Sequence, residues 1–171
     1  MPRLADPTIS VRESFVESVR EFHALGGEPP YVARLDADVL ADPAEFAKYV
    51  AELIAGKDEE TPRPAGYVPM TTLWWVDDPQ FIGRLAIRHR LTPTLERKGG
   101  HIGYDVRPSA RRKGHATAML RMALPIAKEL GIDRALLTCD TDNIGSRRVI
   151  EKNGGEFVDE IDGVYRFWVP T

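Results

Sequence analysis

Apolar positions along this chain change period as it proceeds. In the first third they recur at helical spacing. Val11, Phe15, Val19 and Phe22 fall on one face of an amphipathic helix. Ser10 and Glu13 stand three apart as a capping box, so the spacing predicts a start at Ser10. Gly26-Gly27-Glu28-Pro29-Pro30 ends that helix. Asp42-Pro43-Ala44-Glu45 predicts a second start, with an N-cap, a proline at the first helical position and a carboxylate at the third. Phe46, Val50, Leu53 and Ile54 supply its apolar face, and Gly56 stops it. A short first strand is also expected near 31–35.

Residues 57–66 are charged and read as an exposed loop. The pattern then turns to strands at 71–76 and 81–89, flanking the hairpin turn Asp77-Asp78-Pro79-Gln80. Trp74 and Trp75 are adjacent on a strand and should face opposite sides of the sheet. A polar loop over 91–100 leads to Ile102, Tyr104 and Val106, which alternate, and Pro108 ends that strand because it has no N–H. Met119, Leu120, Ala123, Leu124, Ala127 and Leu130 then mark a long helix. Pro125 inside it predicts a kink or a local break, and Gly131 the stop. A strand at 134–139, a helix at 143–153 and a hairpin of 155–159 with 164–169 around Asp162-Gly163 complete the chain.

This order predicts an α/β fold, one mixed central sheet with helices on its faces. There are no repeats and no linker. The chain reads as a single domain with a helical part at 1–56 and a core at 67–169. The 171 residues suffice for a real core, and 43% hydrophobic with 29% charged residues is ordinary for a soluble protein. A net charge of −3 argues against a nucleic-acid binder. Cys139 is the sole cysteine, so it is expected to be a small core thiol. Four histidines without paired cysteines give no metal-site spacing. No apolar run approaches the ~20 residues of a membrane span, and the N-terminus lacks the apolar core of a signal peptide. A cytoplasmic location is the expectation.

The chemistry concentrates where the strand ending at Val106 meets the long helix. Arg111-x-x-Gly114-x-Ala116 puts small residues where a ligand could meet bare backbone. The first N–H groups of a helix lack internal partners and carry partial positive charge. Arg111, Arg112 and Lys113 add formal charge, so the junction reads as an anion cradle suited to a pyrophosphate.

The hexad Arg111 to Ala116 resembles the Gln/Arg-x-x-Gly-x-Gly/Ala signature of the GNAT-superfamily N-acetyltransferases. Asn143-x-x-Ser146 followed by Ile150-Glu151-Lys152-Asn153-Gly154-Gly155-Glu156-Phe157 is similar to that superfamily's second cofactor segment, in the right order and spacing. Gly100-His101-Ile102-Gly103-Tyr104 and Arg88-His89 resemble a bacterial branch of predicted acetyltransferases. The resemblance implies a mostly antiparallel sheet in which two neighbouring strands splay apart around the cofactor's pantetheine arm. It implies acetyl-coenzyme A as co-substrate, an amine of a small molecule, peptide or protein as acceptor, and suggests a homodimer. It places Tyr104, Val106, Arg111, Arg112, Lys113, Gly114, His115, Ala116, Thr117, Asn143 and Ser146 at the cofactor, with the N–H near Val106 as oxyanion donor.

Transfer to an amine needs a base. His101 is the first candidate, on the strand entering the cofactor turn, with His89 and Asp105 as rivals. Many relatives carry a tyrosine four residues after the serine to protonate the departing sulfur. Ile150 stands there, so that role does not carry over, and Tyr104, Tyr165 and Ser146 are the substitutes. The competing reading is a catalytically idle acyl-coenzyme A binding module.

Overall fold

Alternation along one strand organises the whole molecule into two cores. The computed structural model describes residues 1–171. A four-stranded antiparallel sheet is built from β1 (Arg3–Ala5), β2 (Met70–Asp77), β3 (Gln80–Arg88) and β4 (Ile102–Val106), in that spatial order. Trp74 and Val76 of β2 point to one side, where they join Phe15, Phe22 and Phe46 from α1 (Arg12–Leu25) and α4 (Pro43–Ala55). Phe15 stacks on Trp74 with ring centroids 4.8 Å apart. Leu73 and Trp75 point to the other side and pack with Met119 and Leu120 of α6 (His115–Glu129). Each such side chain contributes ~1.5–3 kcal/mol on full burial.

The second sheet contains β5 (Arg134–Asp140), β6 (Glu156–Ile161) and β7 (Val164–Pro170), with β7 in the middle. α7 (Ile144–Lys152) lies between β5 and β6 in the chain and packs on α6. The expected single sheet is therefore parted between β4 and β5, which share no ladder. Antiparallel residues alternate between facing their partner and facing away. Arg88 N–H donates to His101 O at 2.7 Å and Arg107 N–H donates to Ile82 O at 2.9 Å. The odd-numbered residues of β4 are thus the ones bonded to β3. The N–H groups of Tyr104 and Val106 point toward the gap.

His101 holds the gap shut at one end. Its N–H donates to Leu136 O at 2.7 Å, and its Nδ1 accepts the Leu136 N–H at 2.9 Å. A ring that accepts at Nδ1 carries its proton at Nε2 when neutral. Neither nitrogen then offers a lone pair, which removes His101 from the role of general base.

Other expectations move for identifiable reasons. The edge strand beside β2 is Arg3–Ala5, not 31–35. Pro29 and Pro30 instead start the short α2 (Pro30–Ala33), followed by α3 (Ala37–Leu40). Ser10 is not the first cap: Thr8 caps a 3-10 turn at Ile9–Val11, while Ser10 Oγ donates to Asp78 Oδ1 at 3.1 Å. Ile54 is 38% exposed, and Leu130, at the C-cap, is 37% exposed, so neither belongs to the core. The loop after β3 contains α5 (Pro93–Arg97), capped by Thr92. α6 runs through Pro125 without a break. Pro125 and Arg121 are both exposed, so water can serve the carbonyl that loses its partner.

The His101 clasp makes stability depend on pH. Burial, and secondarily Arg88, hold the ring's pKa below its ordinary value. The unfolded chain takes up a proton near pH ~6.5 that the folded chain resists. The contribution is therefore complete above that pH and is lost as pH falls. His101→Ala should cost ~1–3 kcal/mol by orphaning the Leu136 N–H. It should also shrink the stability lost between pH 7.5 and 5.5 in urea unfolding. An unchanged loss would refute the assignment. His89 and His115, whose pKa values are also lowered, keep a residual slope.

Candidate active site

The turn between β4 and α6 is pinned from behind before it can hold anything. Arg107, 7% exposed, sends its guanidinium between the sheet and α1. It donates to Ser14 Oγ at 2.8 Å and Phe81 O at 3.2 Å, and pairs with Glu21 of α1. Glu21 also accepts the Ser109 N–H at 3.1 Å. Desolvation pushes the Glu21 carboxyl up, but the hydrogen bonds from Arg107 and Ser109 outweigh it and hold the group below its ordinary value. Arg107 is thus a buried anchor and not part of a free basic run.

Beyond the anchor the backbone becomes unusual. Arg112 has φ 64° and Gly114 φ 82°, both left-handed. Such geometry in a non-glycine residue is strained and turns successive N–H groups toward one side. The first helical bond runs from Ala118 N–H to Gly114 O, and Gly114 caps α6 without a side-chain bond. The N–H groups from Lys113 to Thr117 therefore have no protein acceptor. A Cβ on Gly114 would meet no atom within 4 Å, so only the φ and a ligand constrain that position.

These groups open onto a groove of about 680 Å³. Arg111, Arg112, Gly114, His115, Ala116 and Thr117 form one wall, and Asn143, Ser146, Arg148 and Lys152 form the other. Tyr104, Asp105 and Val106 form its floor. The structure thus brings the expected cofactor residues together, except that the Lys113 side chain lies outside the groove lining. Arg148 and Lys152 are cations that sequence reading did not single out. They sit one helical turn apart on α7, a spacing that could have revealed them. His115 is fixed by the Trp75 indole N–H, which donates to its Nδ1 at 3.2 Å. Asn143 Oδ1 accepts the Ser146 N–H at 3.1 Å, capping α7 and leaving its NH₂ group to donate elsewhere. Arg111 Nε donates to Val106 O at 3.2 Å, while the Val106 N–H stays unpaired at the gap.

A smaller hollow follows the parting of β4 and β5. Ile102, Tyr104, Cys139, Asn143 and Ser146 line it. The Tyr104 hydroxyl lies 2.9 Å from Ser146 Oγ. Burial pushes the Tyr104 phenol well above its ordinary value, so it keeps its proton. Burial likewise raises the Cys139 thiol, a poor nucleophile at neutral pH. Ile150 is fully buried against Gly155 and cannot reach the hollow.

The remaining proton acceptors separate clearly. His89 lies past the far end of β3, five residues from Arg84, or ~17 Å along a strand. Its Nε2 sits 2.8 Å from Thr71 Oγ1, which ties it to β2 and away from the groove. Asp105 is different. It faces the α1–α4 side of the sheet and also lines the cofactor groove. Burial raises its carboxyl above the ordinary range, opposed by Arg84 and Arg111. Beside it, Arg84 places its guanidinium 4.1 Å from the centre of the Tyr31 ring. Tyr31 and Arg84 were missed by sequence reading. The signal was a single cation inside the apolar run from Phe81 to Ile87.

The same fold occurs in solved structures. RimJ of Mycobacterium smegmatis, in complex with CoA-disulfide, superposes with a TM-score of 0.70 at 21% identity, covering 99% of this chain and 82% of that one. The PaiA N-acetyltransferase of Thermoplasma acidophilum, in complex with coenzyme A, gives 0.61 at 15% identity, covering 100% and 99%. An acetyltransferase of Salmonella typhimurium that modifies the N-terminal serine of ribosomal protein L7/L12 gives 0.62 at 17% identity, covering 99% and 95%. No protein of curated function matches the sequence. The family model of the acetyltransferase (GNAT) domain matches residues 16–156, which span the anchor, the cradle and the parted strands, and the chain belongs to that family.

Proposed function

We propose that this chain is an acetyl-coenzyme A-dependent N-acetyltransferase that transfers acetyl directly to an amine, with Asp105 as general base. The observation that carries the reading is Asp105, a half-buried carboxylate on the floor shared by the cofactor groove and the opposite face. The RimJ and PaiA structures hold coenzyme A species, and the uncapped α6 N-terminus with Arg111, Arg112, Arg148 and Lys152 suits the same phosphates here. When bound, acetyl-coenzyme A supplies an activated acetyl group as a thioester.

The chain's own groups meet the remaining needs. The Val106 N–H donates to the carbonyl oxygen as charge develops on it. Asp105 accepts a proton from the incoming ammonium, and its raised pKa brings it closer to the proton it takes. The Tyr104 hydroxyl, held by Ser146, donates a hydrogen bond to the departing sulfur. Overall one C–N bond forms, one C–S bond breaks, and an ammonium and a thioester become an amide, a thiol and one released proton. A cytoplasmic location completes the proposal, and no helix is long and apolar enough to cross a membrane.

Three outcomes test this. Acetyl-coenzyme A at ~100 times its dissociation constant should stabilise the fold by about 2.7 kcal/mol, read as a rise in melting temperature. A flat titration to millimolar cofactor would sink the assignment. Gly114→Glu should abolish that binding in calorimetry while keeping a cooperative melt, since the left-handed φ costs it only ~1–2 kcal/mol. Undiminished affinity in the folded variant would move the cradle elsewhere.

Asp105→Asn should lower kcat by ~10²-fold or more, the usual scale for a general base. Acetyl-coenzyme A affinity should hold. The wild-type rate should fall as pH drops through an apparent pKa above the ordinary carboxylate range, and that limb should vanish in the variant. Near-normal turnover in folded Asp105→Asn contradicts the role. Binding of the cofactor without steady thiol release from any amine would instead support the idle binding module, a reading that buried Ile150 favours.

A further inference from the structure

Four polar groups converge on the face of the sheet opposite α6, and none has a hydrogen-bond partner in the protein. Arg84 is the first. Its Nε is buried without a partner, and its guanidinium carbon lies 4.1 Å from the centre of the Tyr31 ring, with no carboxylate in hydrogen-bond contact. Asp105, its cross-strand neighbour, accepts no hydrogen bond and is offset only by the fields of Arg84 and Arg111. The Tyr31 and Tyr49 phenols complete the set, both covered and both within the field of Arg84. A buried donor without a partner is costly, because its desolvation is not repaid, and Arg84 Nε is such a donor. A planar fork of donors is suited to a carboxylate held by two bonds. A bare carboxylate beside it is suited to an ammonium. The two strands place these opposite charges side by side, at the spacing of directly opposed residues.

Resting on the acetyltransferase reading above, we infer that the acceptor is a small zwitterion of the amino-acid class, its carboxylate on Arg84 and its amine on Asp105. This divides the labour. Arg84 is a specificity-determining residue, and Asp105 takes the proton. A protein N-terminus presents a peptide amide beside its amine and leaves the Arg84 guanidinium unpaired. The site should therefore disfavour it, since polar groups that a bound ligand covers and leaves without partners penalise the wrong ligand most strongly.

The test uses the full chain, acetyl-coenzyme A and release of free thiol. The probes are the proteinogenic L-amino acids, each beside its own carboxamide. Removing the carboxylate lowers the amine's pKa, so intrinsic reactivity at neutral pH favours the carboxamide. A preference for the free acid must come from the site. At least one free acid should be turned over with kcat/KM ~10²-fold or more above its carboxamide, the scale of a lost charged partner. Arg84→Met should raise KM for that acid and erase the preference, with acetyl-coenzyme A affinity unchanged. Arg84→Lys should restore it only in part, since the ammonium lacks the fork. The same acid at 10 mM should raise the melting temperature of the wild type and not of Arg84→Met. Should Arg84→Met fail to melt cooperatively, the acid-to-amide ratio of the wild type and Arg84→Lys decides alone.

Carboxamides used as well as acids overturn the inference and leave the acetyltransferase reading intact. So does turnover confined to other amines. Retention of the preference in folded Arg84→Met does the same. Absence of thiol release from every amine removes both.

Discussion

Tyr104 and Val106 carry backbone N–H groups that face another strand without reaching it, and the functional architecture depends on that separation. A buried unpaired N–H costs ~1–3 kcal/mol, so closing a ladder there would favour the fold. Two contacts keep it from closing. The Tyr104 ring and hydroxyl stand in the gap against Ser146 of α7. At the other end His101 draws β5 in through both its N–H and its ring. A clasp at one end and a wedge further along produce two diverging strands. The parted edge keeps its N–H donors unpaired, as the proposed oxyanion role requires.

The Arg107 anchor explains why the cradle and the opposite face stay in register. One guanidinium reaches the cofactor turn, α1 and the start of β3. Glu21 returns to the turn through both the N–H and the hydroxyl of Ser109. A buried pair of this kind contributes little net stability against apolar side chains, yet is costly to break on one side. Its value here is positional. α1 also packs against α2, which carries Tyr31, so the anion cradle and the wall facing Arg84 hang on one fixed point.

Much of this was legible in the sequence where a local rule has no competitor. Period-2 and helical patterns located β2 to β7 and the long helices, and Trp74 with Trp75 do divide between the two cores. Arg-x-x-Gly-x-Ala announced the uncapped helix start. Failures came where tertiary contact overrides local preference. Residues 3–5 form a strand only because β2 offers an edge, which no three-residue pattern can signal. The Ser10-Glu13 box lost to Thr8, whose cap starts the turn earlier. A histidine as a residue type titrates near neutrality, and His101 has a suggestive place in the chain. Which lone pair it keeps is decided by a β5 residue 35 positions later. Arg84 was visible as a charge in an apolar strand, but its lack of a partner is a property of the packed face.

That lack of a partner distinguishes Arg84 from the other half-buried arginine of β3. Arg88 is desolvated, but its guanidinium donates to Gly99 O at 3.1 Å and Gly100 O at 3.2 Å. Those bonds fix the loop before β4 and hold His101 in reach of Leu136. The two arginines share a face of β3, four residues apart, and one is consumed by the fold while the other is not. Folding alone accounts for Arg88. It leaves Arg84 with a ring face and an opposite charge beside it but no hydrogen bond. A guanidinium left without a hydrogen bond, set beside the carboxylate proposed to move the proton, is what the proposed acceptor site is built on.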